Sequence, residues 1–134
     1  MGVRILVVED DRDCRELFRT LLEMSGAHVA TAAGAYEGLR EFLRRRPDVV
    51  VSDFSMPDHD GCWLVRSLRA VGGTEYQPLA VAVTAYHDER VHDQCRAAGF
   101  DVVISKPIDS DEFSAVIERL VRSPAGREHA DDKA

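Results

Sequence analysis

Apolar residues in this chain follow two alternating patterns: short unbroken apolar runs, and longer stretches with an apolar position every third or fourth residue. Val3-Arg4-Ile5-Leu6-Val7-Val8 is the first run and ends at Glu9-Asp10-Asp11. A run without polar alternation predicts a strand buried on both faces, as in a parallel sheet. From Asp11 to Ser25, Leu17, Phe18, Leu21, Leu22 and Met24 recur at helical spacing, with acids in the first turn and Ser25-Gly26 at the end. Ala27 to Thr31 predicts a second strand. Gly34 to Arg46 predicts a helix that turns Leu39, Phe42 and Leu43 inward and is stopped by Pro47.

Val49-Val50-Val51-Ser52-Asp53 reads as the third strand, followed by a turn rich in Asp, Pro and Gly. Gly61 to Val71 places Trp63, Leu64, Val65, Leu68 and Val71 along a helix that Gly72-Gly73 terminates. Leu79-Ala80-Val81-Ala82-Val83 is the fourth strand, ending in Thr84-Ala85, and a polar-rich helix runs from Asp88 to Ala98, closed by Gly99. Asp101 to Ser105 is the fifth strand and ends at Lys106-Pro107. The last helix, Asp109 to Val121, carries Phe113, Val116, Ile117, Leu120 and Val121 at helical period. Residues 123–134 contain Pro, Gly and alternating charges without apolar periodicity, which predicts a flexible tail or truncated linker. Strand and helix alternate five times, predicting an α/β fold: one doubly wound parallel sheet, helices on both faces, in a domain spanning residues 1–122.

Composition narrows the function classes. A length of 134 residues suits one domain, and no apolar run approaches the roughly 18 residues of a membrane span. The first strand begins almost at Met1, leaving no room for a signal peptide, so a cytoplasmic location without membrane attachment is expected. Cys14, Cys62 and Cys95 form no CxxC pair and are expected to pack as small apolar groups. A net charge of −7 argues against direct nucleic-acid binding, which depends on Lys and Arg neutralising phosphates. Arg44-Arg45-Arg46 is a local exception, but at a helix end these arginines complement the macrodipole.

In a parallel sheet the strand C-termini share one edge, where ligands and chemistry collect. That edge receives Glu9, Asp10 and Asp11, then Asp53, Thr84 and Lys106, from four different strands. Crowded carboxylates repel unless they share protons or a cation lies between them, and a hard divalent ion with oxygen ligands, Mg²⁺ by preference, suits such a set. A carboxylate beside Mg²⁺ can act as a nucleophile towards phosphorus, while a hydroxyl and a lysine stabilise phosphoryl charge. Each residue also has a bland reading: Asp53 as a turn entry, Thr84 as a strand end, Lys106 as a solvated charge, and the acids as first-turn helix residues. Four strands ending in complementary groups on one edge make coincidence the poorer explanation.

Taken together, ILVVEDD, SDFSMPDHDG, TAY and SKP, in this order and spacing, resemble the receiver domains of two-component response regulators over about residues 3–122. The resemblance implies a flavodoxin-like sheet with strand order 2-1-3-4-5 and a phosphoacceptor role for Asp53, supplied by a sensor histidine kinase or phosphotransfer protein. It implies Mg²⁺ bound by Asp10 directly, by Glu9 through water, by Asp53, and by the backbone carbonyl of Ser55. Thr84 matches the switch hydroxyl, Lys106 the lysine that pairs with the phosphoryl group, and Lys106-Pro107 the family's cis peptide. Phosphorylation and dephosphorylation would be self-catalysed in a regulatory domain that is not an enzyme. Its output would be a protein-interaction surface for a downstream target, with a homodimer through the face of the fourth helix as a further option. The pattern departs at Val103, where receivers usually carry the aromatic that swings inward with the switch hydroxyl. Tyr86 lies two residues after Thr84, and Ser55 and Tyr86 flank the site, where they are expected to modulate attack of water on the phosphoryl group. Alternatives in other classes are a degenerate receiver serving as a constitutive binding module and a Mg²⁺-dependent aspartyl-phosphate hydrolase; the latter usually has a second acid where Ser55 stands.

Overall fold

Both faces of the sheet are buried because the runs Ile5–Val8, Val49–Val51 and Leu79–Val83 of its central strands are apolar at every position. The computed structural model describes residues 2–73 and 75–122, the last three by backbone alone; the tail expected over 123–134 lies outside the described residues, as do the side chains expected in the core at Leu120 and Val121. Ten elements alternate along the chain: β1 Arg4–Val8, α1 Arg12–Met24, β2 His28–Ala32, α2 Ala35–Arg45, β3 Val49–Asp53, α3 Gly61–Gly72, β4 Leu79–Thr84, α4 Glu89–Ala98, β5 Val102–Ser105 and α5 Ser110–Arg122. The five strands are all parallel and lie in the order β2-β1-β3-β4-β5. This is the doubly wound arrangement expected from the sequence.

Strand side chains point alternately to opposite faces, so each central strand feeds two cores. Leu6, Val8, Val50, Ala80 and Ala82 face Phe42, Leu64, Leu68 and Cys95 of α2, α3 and α4. Ile5, Val7, Val49, Val51, Val81 and Val83 face Phe18, Leu22, Phe113 and Ile117 of α1 and α5. Phe18 and Phe113 stack with ring centroids 5.4 Å apart, tying α1 to α5, and each fully buried ring contributes about 2–3 kcal/mol of transfer free energy.

Four side chains expected along apolar helix faces are instead exposed. Leu17 and Met24 of α1 and Leu43 of α2 lie outward, because only a limited stripe of each helix meets the sheet and neighbours one residue along rotate off it. Val71, in the last turn of α3, is exposed as well. Cys62 and Cys95 are buried as expected, whereas Cys14 is half-buried; all three are free thiols.

Helix ends follow local chemistry. Asp11, Asp60 and Asp88 cap α1, α3 and α4 through their side chains, accepting from the backbone N–H of Cys14, Trp63 and Arg90. At α2, Gly34 provides no side-chain cap. The carboxylate of Asp58 fills that role from the loop after β3, accepting from Ala35 N at 3.1 Å and Tyr36 N at 2.9 Å. The arginines closing α2 behave as helix-end cations: Arg44 and Arg45 pair with Glu41, and Arg46 adopts the left-handed C-cap with its guanidinium over the Tyr76 ring.

Candidate functional site

The polar residues that the strands deliver to one edge are buried in an otherwise apolar sheet. Glu9 directly follows β1 and is fully buried; Asp53 ends β3 and is 7% exposed; Thr84 ends β4 and is fully buried. In the parallel register Asp53 lies opposite Val83, and Thr84 lies opposite Ser105, the residue before Lys106. The Lys106 ammonium reaches back across the edge to Glu9 Oε1 at 3.0 Å and Asp53 Oδ1 at 3.5 Å. Its backbone N–H donates to the Thr84 carbonyl at 2.7 Å, and the Lys106-Pro107 peptide is cis.

Among the described residues, Lys106 is the cation that pairs with these carboxylates, which leaves their charge incompletely answered. Glu9, Asp10 and Asp53 each present a carboxylate oxygen, all within 4.8 Å of one another. Among the described residues, the second oxygen of Glu9, Oε2, is buried with no hydrogen-bond partner. Burial first, and then neighbouring Asp53, push the Glu9 carboxyl up to about 7 against the opposing pull of Lys106. For Lys106 burial acts downward, but the hydrogen bond to Glu9 and the charge of Asp53 outweigh it and hold the ammonium above its ordinary value. Three converging hard oxygen donors with one unsatisfied buried lone pair form a set that could hold a metal ion. Asp11 is not part of it, because its carboxylate caps α1.

The surrounding backbone is fixed closely. Arg15 of α1 donates to the Glu9 carbonyl at 2.9 Å, holding the acidic turn from behind. Gly61 donates to the Phe54 carbonyl at 2.7 Å, and a Cβ at Gly61 would stand 2.5 Å from the Asp53 carbonyl oxygen. Only glycine allows α3 to start this close to the end of β3.

A family model described as response regulator receiver domain matches residues 5–118. The chain belongs to the response regulator receiver domain family. This receiver is 38% identical over 115 residues to an uncharacterized 14.6 kDa protein of Leptolyngbya boryana, with 86% of this chain and 87% of that protein covered. It is 37% identical over 137 residues to response regulator MprA of Mycobacterium sp. strain KMS, where the match takes in all of this chain but 57% of the relative. The receiver thus spans about half the length of that curated relative. Among solved structures, a two-component response regulator of the LuxR family from Aurantimonas sp. shares 27% identity, with a TM-score of 0.82 over 91% of this chain and 86% of that one.

The other residues singled out in the sequence take varied positions in this receiver. Ser55 is exposed in the loop after β3. Tyr86 is exposed, its ring edge-on to Phe54 at 5.8 Å between centroids and its N–H donating to Thr84 Oγ1 at 3.0 Å. Val103 is half-buried on the α2–α3–α4 side of the sheet. Sequence reasoning did not single out Arg15, Asp58 or His92. Of these, Asp58 carried a signal: an unpaired Asp inside a Pro-Asp-His-Asp-Gly turn opposite a helix opening on Gly34, which lacks a capping side chain of its own.

Proposed function

We propose that Asp53 is the phosphoacceptor of this receiver, taking a phosphoryl group from the phosphohistidine of a sensor histidine kinase or phosphotransfer protein. A carboxylate oxygen of Asp53 forms the new O–P bond, the N–P bond breaks, and the imidazole leaves with its electron pair. The observation that carries this reading is the Lys106 ammonium 3.5 Å from a carboxylate at the end of a buried strand, in a family whose business is regulation by such acceptors. Lys106 then pairs with the transferred group, and the Thr84 hydroxyl donates to one of its oxygens, so that charge is neutralised as it arrives.

Glu9, Asp10 and Asp53, with the main-chain carbonyl of Ser55, would hold Mg²⁺, which when bound neutralises negative charge on the phosphoryl oxygens. The orphaned Glu9 oxygen supports that fit. The domain acts inside the cytoplasm, catalyses its own phosphorylation and dephosphorylation, and passes the change to a downstream protein through an altered surface. Ser55 and Tyr86, at the mouth of the site, modulate the access of water to the phosphoryl group.

The test is intact-mass spectrometry after incubation with acetyl phosphate, with and without Mg²⁺, on the wild type and Asp53→Asn. One added phosphate that requires both Mg²⁺ and Asp53 is expected. No adduct under any condition overturns the reading and leaves a constitutive binding module.

A further inference from the structure

Thr84 and Lys106 are connected by a set of contacts that does not pass through the acids. The Thr84 hydroxyl oxygen accepts the Tyr86 N–H at 3.0 Å. The carbonyl of the same residue, Tyr86, lies 3.1 Å from Nε2 of His92 on α4. That nitrogen also lies 3.3 Å from the Ser105 hydroxyl at the end of β5. The next residue, Lys106, returns its backbone N–H to the Thr84 carbonyl at 2.7 Å, closing a ring of contacts. A carbonyl only accepts, so Nε2 of His92 carries the proton, and one N–H is shared between the Tyr86 carbonyl and the Ser105 oxygen.

Resting on the reading of Asp53 as phosphoacceptor, we propose that His92 is the positioning residue that couples Thr84 to helix α4 and strand β5 in this receiver. Tyr86 is a two-ended link: its N–H is committed to Thr84 and its carbonyl to His92. Movement of the Thr84 hydroxyl towards a phosphoryl group on Asp53 strains the first bond and, through the rigid peptides around Tyr86, the second. His92 lies one turn inside α4, where its own N–H donates to the Asp88 carbonyl at 3.3 Å, so a shift of Tyr86 is felt by the start of that helix. Val103 is aliphatic and half-buried, so it has neither a ring to swing nor a polar group to join this circuit. The clamp formed by His92 holds the loop in its unphosphorylated position, and phosphorylation works against it.

The decisive comparison uses the full chain as wild type, His92→Leu, His92→Gln and Ser105→Ala. Two quantities are read: amide hydrogen exchange at Tyr86 without phosphoryl donor, and the rate of phosphoryl uptake from acetyl phosphate with Mg²⁺. Loss of one net hydrogen bond changes such an equilibrium by about fivefold. His92→Leu is expected to speed both by about that factor, Ser105→Ala to move both in the same direction, and His92→Gln, whose amide can donate from a similar position, to restore wild-type behaviour. Faster exchange with unchanged uptake would mark His92 as merely structural and overturn the coupling, as would unchanged exchange or a failure of Gln to rescue. An absence of any adduct in the wild type would overturn the phosphoacceptor reading and the coupling with it, whereas equal uptake in all four chains would overturn the coupling alone.

Discussion

Glu9 is the residue whose environment most constrains what this site can tolerate. Its carboxyl is fully buried, one oxygen pairs with Lys106, and the other has no hydrogen-bond partner among the described residues. Burial pushes it up to about 7, so without a bound cation the cost of keeping it charged falls on a single ammonium. Removing that ammonium should strand the acid. Without divalent ions, Lys106→Met is expected to lower stability by about 2 kcal/mol, less than for a fully buried pair because the lysine side chain keeps some water contact. Adding Glu9→Gln to Lys106→Met should recover much of the loss, since a neutral amide leaves no buried charge to compensate. Urea denaturation of the two single variants and the double variant in chelator checks this as a double-mutant cycle. Equal losses in Lys106→Met and the double variant would show that the stranded carboxylate is not the cause. The positions of Glu9 and Lys106 were legible in the sequence, because each follows an apolar strand and parallel strands bring their ends together. Their mutual contact was not, since residues 97 apart in sequence have no spacing rule that pairs them.

At the scale of elements, α2 is held at its start by a residue from another part of the chain. Asp58 accepts from two orphan amides of the first turn, the positive end of the helix dipole, and lies in the same loop that leads from Asp53 to α3. Partial desolvation raises its carboxyl, but the bonds from Tyr36 and Ala35 prevail and hold it below its ordinary value of 3.8. A carboxyl with a depressed native value contributes stability that is fully present above its unfolded value and is lost as pH falls through the native one. Replacing it with Ala should cost about 1 kcal/mol, the usual worth of an N-cap. The gap between wild type and Asp58→Ala should be constant from neutrality down to about pH 5 and close below about pH 4. Urea midpoints across that range test it; a gap that persists at the acid end would place the effect in packing. The helices themselves were readable from apolar spacing and stop signals, and their boundaries moved by only a residue or so as terminal Asp, Ser and Gly residues turned out to be caps. Which apolar residues face the sheet was less readable. Leu43 and Phe42 are neighbours of equal hydrophobicity, and only the docking angle of α2 decides that Phe42 goes in.

Across the whole molecule, the sheet has one edge that gathers Glu9, Asp10, Asp53 and Lys106 and an opposite edge that holds strands together. At the acidic edge, polar groups are left incompletely paired; at the other, Arg69 of α3 is saturated. Its guanidinium donates to the Gly99 carbonyl at 2.9 and 3.2 Å, to the Pro78 carbonyl at 2.7 Å, and to Asp101 Oδ2 at 3.0 Å. The same Asp101 oxygen accepts the Ala80 N–H at 2.8 Å, so one ion pair fastens the starts of β4 and β5 to the end of α3. Breaking a pair this buried takes the guanidinium away from the carboxylate, which costs about 3 kcal/mol. Arg69→Met should therefore lower the urea midpoint markedly. Because β4 and β5 are regular along their length, the defect stays at their starting ends, and Asp53, Thr84 and Lys106 keep their positions at the other. At temperatures where the variant remains folded, the rate of phosphoryl uptake from acetyl phosphate should match that of the wild type. A slowed uptake in folded Arg69→Met would mean that strain crosses the sheet from edge to edge, and that the division between a stabilising edge and a reactive one does not hold in this receiver.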